Sequence, residues 1–90
     1  MIVSIFVGTS IQALRVYLEI LESGSLSAAG RELGMTQPAV SNHLHALEER
    51  FGVRLLERGR RMRPTPAGER LADHARRVLA ELSELEEEMA

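Results

Sequence analysis

Residues 24–52 read GSLSAAGRELGMTQPAVSNHLHALEERFG. The stretch holds two helices and the tight turn between them. Ser25 or Ser27 offers the side-chain oxygen that caps a helix start. Leu26, Ala29 and Leu33 follow at helical spacing, which predicts a short helix over about 27–33. Gly34-Met35 makes the turn. Thr36 caps the next helix, and Pro38 sits in its first turn, where a missing N–H costs nothing. Val40, Leu44, Leu47 and Phe51 form its apolar face and Gly52 ends it, so a helix is expected over about 37–51. The outward side carries Gln37, Ser41, Asn42 and His45. Gly30 lies inside the shorter helix, at a cost of about 1 kcal/mol relative to Ala. Close approach of a neighbouring helix is the expected reason.

Before this stretch, Leu14, Tyr17 or Leu18, and Leu21 recur at helical spacing over about 11–22. Thr9 or Ser10 is the cap, and Ser23-Gly24 the stop. After it come Val53-Arg54-Leu55-Leu56 and Arg61-Met62-Arg63-Pro64, two short strands joined through Arg58-Gly59-Arg60. Thr65 and Pro66 then open a last helix over about 66–89. Its apolar residues Leu71, Ala75, Val78, Leu82, Leu85 and Met89 are spaced 4, 3, 4, 3 and 4 apart. That is a heptad stripe on a helix roughly 36 Å long, longer than a core of this size can cover. A dimer seam is the expected use. The helix ends in acid with no Gly, Asn or Pro to stop it, so continuation past residue 90 is expected. Ile2, Val3, Ile5, Phe6 and Val7 suit a short strand. The residues do not separate a native packing strand from a mistaken start codon or an expression remnant. The expected division is an extension over 1–10, a domain of three helices and a hairpin over 11–65 and a dimerisation helix over 66–90.

Ninety residues allow one small core. With only Phe6, Tyr17 and Phe51 as aromatics, that core is aliphatic. The absence of Cys excludes disulfides and Cys-ligated metal and fits a cytoplasmic setting. No apolar run approaches the ~20 residues of a membrane span. The start lacks the basic region and cleavage site of a signal peptide. His43 and His45 are two apart on a helix and face different ways, so no metal is expected. There is no P-loop, nucleotide fingerprint or His-Glu-x-x-His, so neither a cofactor nor catalysis is implied. The formal net charge is −2, yet charge is unevenly spread. Residues 50–70 carry seven arginines against Glu57 and Glu69, while residues 81–90 carry five glutamates and no base. A local basic segment is the footprint of a phosphate-binding surface.

Helix, tight turn, helix and basic hairpin make a mainly α winged helix-turn-helix: a three-helix core with a two-stranded wing and a long C-terminal helix. In that arrangement the second helix of the pair enters the major groove of double-stranded DNA. Gln and Asn can bond adenine in bidentate fashion, and Ser suits several partners. Thr36, Gln37, Pro38, Ser41, Asn42 and His45 are therefore the candidate base-reading residues. Arg58, Arg60, Arg61 and Arg63 are the candidate wing contacts to phosphate.

Residues 11–90 resemble the N-terminal domain of LysR-type regulators. The match lies in Gly24-Ser25-Leu26 with Ala28-Ala29, Thr36-Gln37-Pro38-Ala39-Val40-Ser41 and Leu47-Glu48-Glu49, then in Gly52-Val53-Arg54-Leu55-Leu56-Glu57-Arg58 and Pro64-Thr65-Pro66-Ala67-Gly68. The resemblance implies DNA binding for transcription regulation, and a homodimer built by the last helix. It also implies a small-molecule effector bound by a further C-terminal domain. Several features depart from the family pattern. Asn42 stands where an Arg is usual, His45 and Ala46 where another base is often found, Ala28 where a base is common, and the wing is one residue shorter. These departures shift phosphate binding toward the wing. They also leave a second class open, a winged-helix protein-interaction module without DNA binding. The salt dependence of DNA binding separates the two.

Overall fold

Ser10, Ser25, Thr36 and Thr65 start four helices by one device. Each hydroxyl oxygen accepts the N–H three residues on: Ala13 at 3.0 Å, Ala28 at 3.1 Å, Ala39 at 3.3 Å and Gly68 at 3.0 Å. Such a cap contributes about 1 kcal/mol. The helices are α1 (Ile11–Ser23), α2 (Leu26–Leu33), α3 (Gln37–Phe51) and α4 (Pro66–Met89). These come from a computed structural model, which describes residues 10–90. The strand expected among Ile2, Val3, Ile5, Phe6 and Val7 lies outside the described residues. Among the described residues, no helix is long and apolar enough to cross a membrane.

α1 packs on all three other helices. Val16, Tyr17 and Ile20 meet Val40, Leu44 and Leu47 of α3, Ala29 of α2, Leu55 and Leu56, and Ala72 and Ala75 of α4 in one buried cluster. Leu14 and Ala13 close its edge, and Leu18 and Leu21 are only partly buried against it. Phe51 departs from the expected apolar face of α3. It is 47% exposed, because the helix ends there and no further turn covers the ring. With Val53, Ala67 and Leu71 it borders an open surface hollow.

The wing is shorter than expected. β1 (Leu56–Glu57) pairs antiparallel with β2 (Arg63–Pro64), with Leu56 opposite Pro64 and Glu57 opposite Arg63. The flanking backbone bonds elsewhere. Leu55 N–H donates to the Glu48 carboxylate at 2.8 Å, and the Arg54 carbonyl accepts from Thr65 Oγ1 at 2.7 Å. Met62 N–H donates to the Gly24 carbonyl at 3.0 Å. With these groups engaged by helices and caps, only two residue pairs remain for the ladder.

Two close approaches set the helix positions. At Gly30 an added Cβ would lie 2.6 Å from the Met35 carbonyl oxygen. The backbone of the turn itself, rather than a neighbouring helix, demands the glycine. At Gly68 an added Cβ would collide with both the Leu55 carbonyl oxygen and the Tyr17 hydroxyl. These two groups are themselves joined, Tyr17 O–H donating to Leu55 O at 2.7 Å. Tyr17 is thus the post on which the first turn of α4 and the root of the wing rest.

Candidate nucleic-acid interface

The buried and exposed faces of α3 follow from its period. Val40, Leu44 and Leu47 are buried, while Thr36, Gln37, Pro38, Asn42 and His45 are exposed and Ser41 is half-buried. The candidate base-reading residues therefore share one outward stripe at the N-terminal two turns of α3, at spacings of three and four.

Gln37 is held from outside its own helix. Ser27 Oγ donates to Gln37 Oε1 at 2.9 Å, across the turn from α2. Ser25 supplies the α2 cap, and that releases Ser27 for this second task. The bond fixes the amide of an otherwise exposed Gln37. From sequence, Ser27 is only an alternative cap. Nothing local marks which of two nearby serines caps and which reaches across.

Glu48 lies near the far end of α3. It is half-buried, and its carboxylate holds the Leu55 N–H. The negative charge thus braces the root of the wing.

α3 and the wing flank one cleft of about 220 Å³, lined by Leu44, His45, Glu48, Arg54, Leu56, Arg58 and Met62. His45 of the helix and Arg58 of the wing stand on its two sides, and Arg54 adds a third basic group. A second cleft of about 350 Å³ at the wing is lined by Glu57, Arg58, Gly59, Arg60, Arg61 and Arg63. All four wing arginines are exposed. Arg61 is nonetheless set apart, because its Nη2 donates to the Glu22 carbonyl at 2.7 Å and to Leu21 O at 3.3 Å. Its place in the sequence suggests a phosphate contact, and the structure instead joins it to the end of α1.

The stripe on α4 divides. Ala75 is 0% exposed and belongs to the domain's own core, so it is not open to a partner as expected. The first turns of the helix, with Ala72, pack inward, and that accounts for the burial. Leu71 is half-buried against the same core. Beyond it Val78 is 41%, Leu85 54% and Met89 78% exposed, with Leu82 half-buried. Those four form an outward apolar row on the part of the helix that has left the core. Among the described residues no group of three or more His, Cys, Asp or Glu is placed to hold a metal ion.

Residues 11–69 match the family model of the bacterial regulatory helix-turn-helix protein, lysR family. The chain belongs to this family. Its relatives agree with that assignment. It is 46% identical over 80 residues to the "Probable hydrogen peroxide-inducible genes activator" of Streptomyces viridosporus, covering 88% of this chain and 26% of that protein. It is 38% identical over 80 residues to the HTH-type transcriptional regulator TdcA of Escherichia coli (strain K12), again covering 88% of this chain and 26% of the relative. The LysR-family chain thus spans about a quarter of the length of these relatives. Among solved structures, BenM DBD in complex with catB site 1 DNA superposes with a TM-score of 0.86 at 29% identity, covering 90% of this chain and 92% of that one. The DBD of CbnR in its DNA complex gives 0.84 at 30% identity, covering 90% and 94%. The LysR-family fold here is the winged helix-turn-helix.

Proposed function

We propose that this LysR-family domain binds double-stranded DNA sequence-specifically, as the DNA-reading part of a transcription regulator. The observation that carries the reading is the exposed polar stripe of α3 standing beside the basic wing, with His45 and Arg58 lining one cleft between them. A helix with Gln37, Ser41, Asn42 and His45 outward fits the major groove, where amide and hydroxyl groups read base edges. Thr36 and Pro38 set the entry of that helix. Arg58, Arg60 and Arg63 lie where a wing meets flanking phosphates, which supply affinity more than sequence information. The regulators among its relatives and the solved DNA complexes of its structural neighbours support the same assignment.

The outward row Val78, Leu82, Leu85 and Met89 is the dimer seam in this reading, with Leu71 at its inner end. Charge favours an antiparallel pair. The first half of α4 carries Arg70, Arg76 and Arg77 against Glu69 and Asp73, a small positive excess, and the last ten residues carry five glutamates and no base. Side by side in opposite directions, the two helices set unlike charges together. In parallel, glutamates would face glutamates.

The test is anisotropy of a fluorescent mixed-sequence duplex pool across a salt series. Each phosphate contact contributes about −0.9 to the log–log slope, so Arg58→Ala/Arg60→Ala is expected to flatten it by about 1.8. Leu85→Asp is expected to leave the domain folded and turn a sedimenting dimer into a monomer. No binding even at low salt would instead support a protein-interaction module. A wild-type chain that stays monomeric at tens of micromolar would remove the seam.

A further inference from the structure

The last carbonyls of a helix have no partner within it. At the end of α1 the N–H of Gly24 satisfies the Ile20 carbonyl. Arg61 satisfies the next two, its Nη2 donating to Leu21 O and Glu22 O. A cation at that pole is also favoured by the helix dipole. The guanidinium side chain lies across the backbone of Gly24. A Cβ built there would be 2.7 Å from Arg61 Nη1 and 2.9 Å from its Cγ and Cζ. One residue on, Met62 N–H donates to Gly24 O at 3.0 Å. Three hydrogen bonds thus join residues 61–62 of the wing to the point where α1 turns toward α2.

The far strand of the wing is held less than the near one, where Leu55 and Leu56 are buried in the core. The ladder between them is two residue pairs long, and a two-stranded hairpin is at best marginal by itself. The wing's orientation relative to α3 must come from contacts outside the ladder. At the first strand those contacts are the buried Leu55 and Leu56, with Glu48 on Leu55 N–H, Tyr17 on Leu55 O and Thr65 on Arg54 O. At the approach to the second strand they are Arg61 and Met62 on the end of α1.

We propose that Arg61 is a positioning residue. It latches the wing to the C-terminus of α1, so that Arg58, Arg60 and Arg63 are presented in a fixed relation to the recognition helix, and it makes no phosphate contact itself. The proposal rests on the DNA-binding reading. It separates one arginine from three that are alike in sequence.

Two measurements test it together. The first is duplex affinity across a salt series for wild type, Arg61→Ala and Arg61→Lys. A wing correctly placed in about a tenth of molecules lowers apparent affinity about tenfold without altering the bound state. Arg61→Ala is therefore expected to lose about tenfold in affinity with an unchanged salt slope. Arg61→Lys keeps the charge but loses the planar fork, and is expected to fall between the two. The second is amide hydrogen exchange of the free protein. Met62 N–H is expected to lose protection in Arg61→Ala, while the Leu44 and Leu47 amides of α3 keep theirs. That readout needs no DNA, so it stands apart from failure of the wild type to bind. A slope flattened by about 0.9 in Arg61→Ala, with a wild-type Arg61→Lys, would make Arg61 a phosphate contact and overturn the proposal. Unchanged affinity or unchanged Met62 exchange would overturn it as well.

Discussion

Replacing Gly68 by Ala sets two effects of opposite sign against each other, and the structure decides between them. Helix propensity favours Ala by about 1 kcal/mol inside a helix, and Gly68 lies within α4. Against this, the new Cβ would collide with the Leu55 carbonyl oxygen and the Tyr17 hydroxyl, and lie 3.1 Å from the Leu55 carbonyl carbon. The Leu55 group is backbone, and Tyr17 is 0% exposed, so neither can give way without loss. Overpacking of this kind costs about 1–3 kcal/mol. Driving Tyr17 off Leu55 O removes a buried hydrogen bond, for about 1–3 kcal/mol more. The expected net destabilisation of Gly68→Ala is about 3 kcal/mol. For a domain of this size that lowers the melting temperature by roughly 12–24 °C, taking 4–8 °C per kcal/mol. Circular dichroism melts at one fixed protein concentration measure it, since self-association would shift the midpoint. Gly59→Ala is the control. Its Cβ would meet only Arg61 O at 3.8 Å, and a change within about 0.5 kcal/mol is expected. In a Tyr17→Phe background the hydroxyl collision is absent, so the cost of Gly68→Ala should shrink, a direct measure of coupling. A Gly68→Ala chain as stable as wild type would overturn this account, because propensity alone would then govern the position.

Two further outcomes follow from the same geometry. Burial first, then the charges of Glu48 and Glu69, push the Tyr17 phenol well above its ordinary value. The folded chain therefore keeps a proton that the unfolded chain releases above about pH 10. Stability should fall as pH rises from there toward the folded value, and Tyr17→Phe should lose that decline. Equal alkaline slopes in both proteins, read from urea midpoints, would count against it. Ser27→Ala frees the Gln37 amide to rotate. If Gln37 reads a base pair as proposed, discrimination there should drop by about 1 kcal/mol, near fivefold, with other positions unchanged. A selected-site profile identical to wild type would show that Ser27 does not orient Gln37.

The local devices of this fold were legible because each lies within a few residues. A hydroxyl three residues before an N–H, a proline in a first turn and a period of three and four fix where helices begin and which side is apolar. What escaped the sequence depends on partners brought together from afar. Arg61 meets Glu22 across 39 residues, and Tyr17 meets Leu55 across 38. In the sequence Arg58, Arg60, Arg61 and Arg63 are four equal charges on one hairpin. Charge is a property of the residue, but what it faces is a property of the tertiary approach. The stripe on α4 behaves the same way for apolar residues. Its spacing is unbroken from Leu71 to Met89, yet Ala75 closes the domain's own core and Met89 stands 78% exposed. Periodicity states that one side of a helix seeks cover. Whether the cover is the chain's own core or a second copy depends on where that core ends, and here it ends just beyond Ala75. A substitution at Ala75 should therefore register in the melting temperature of the domain, and one at Leu85 in its oligomeric state.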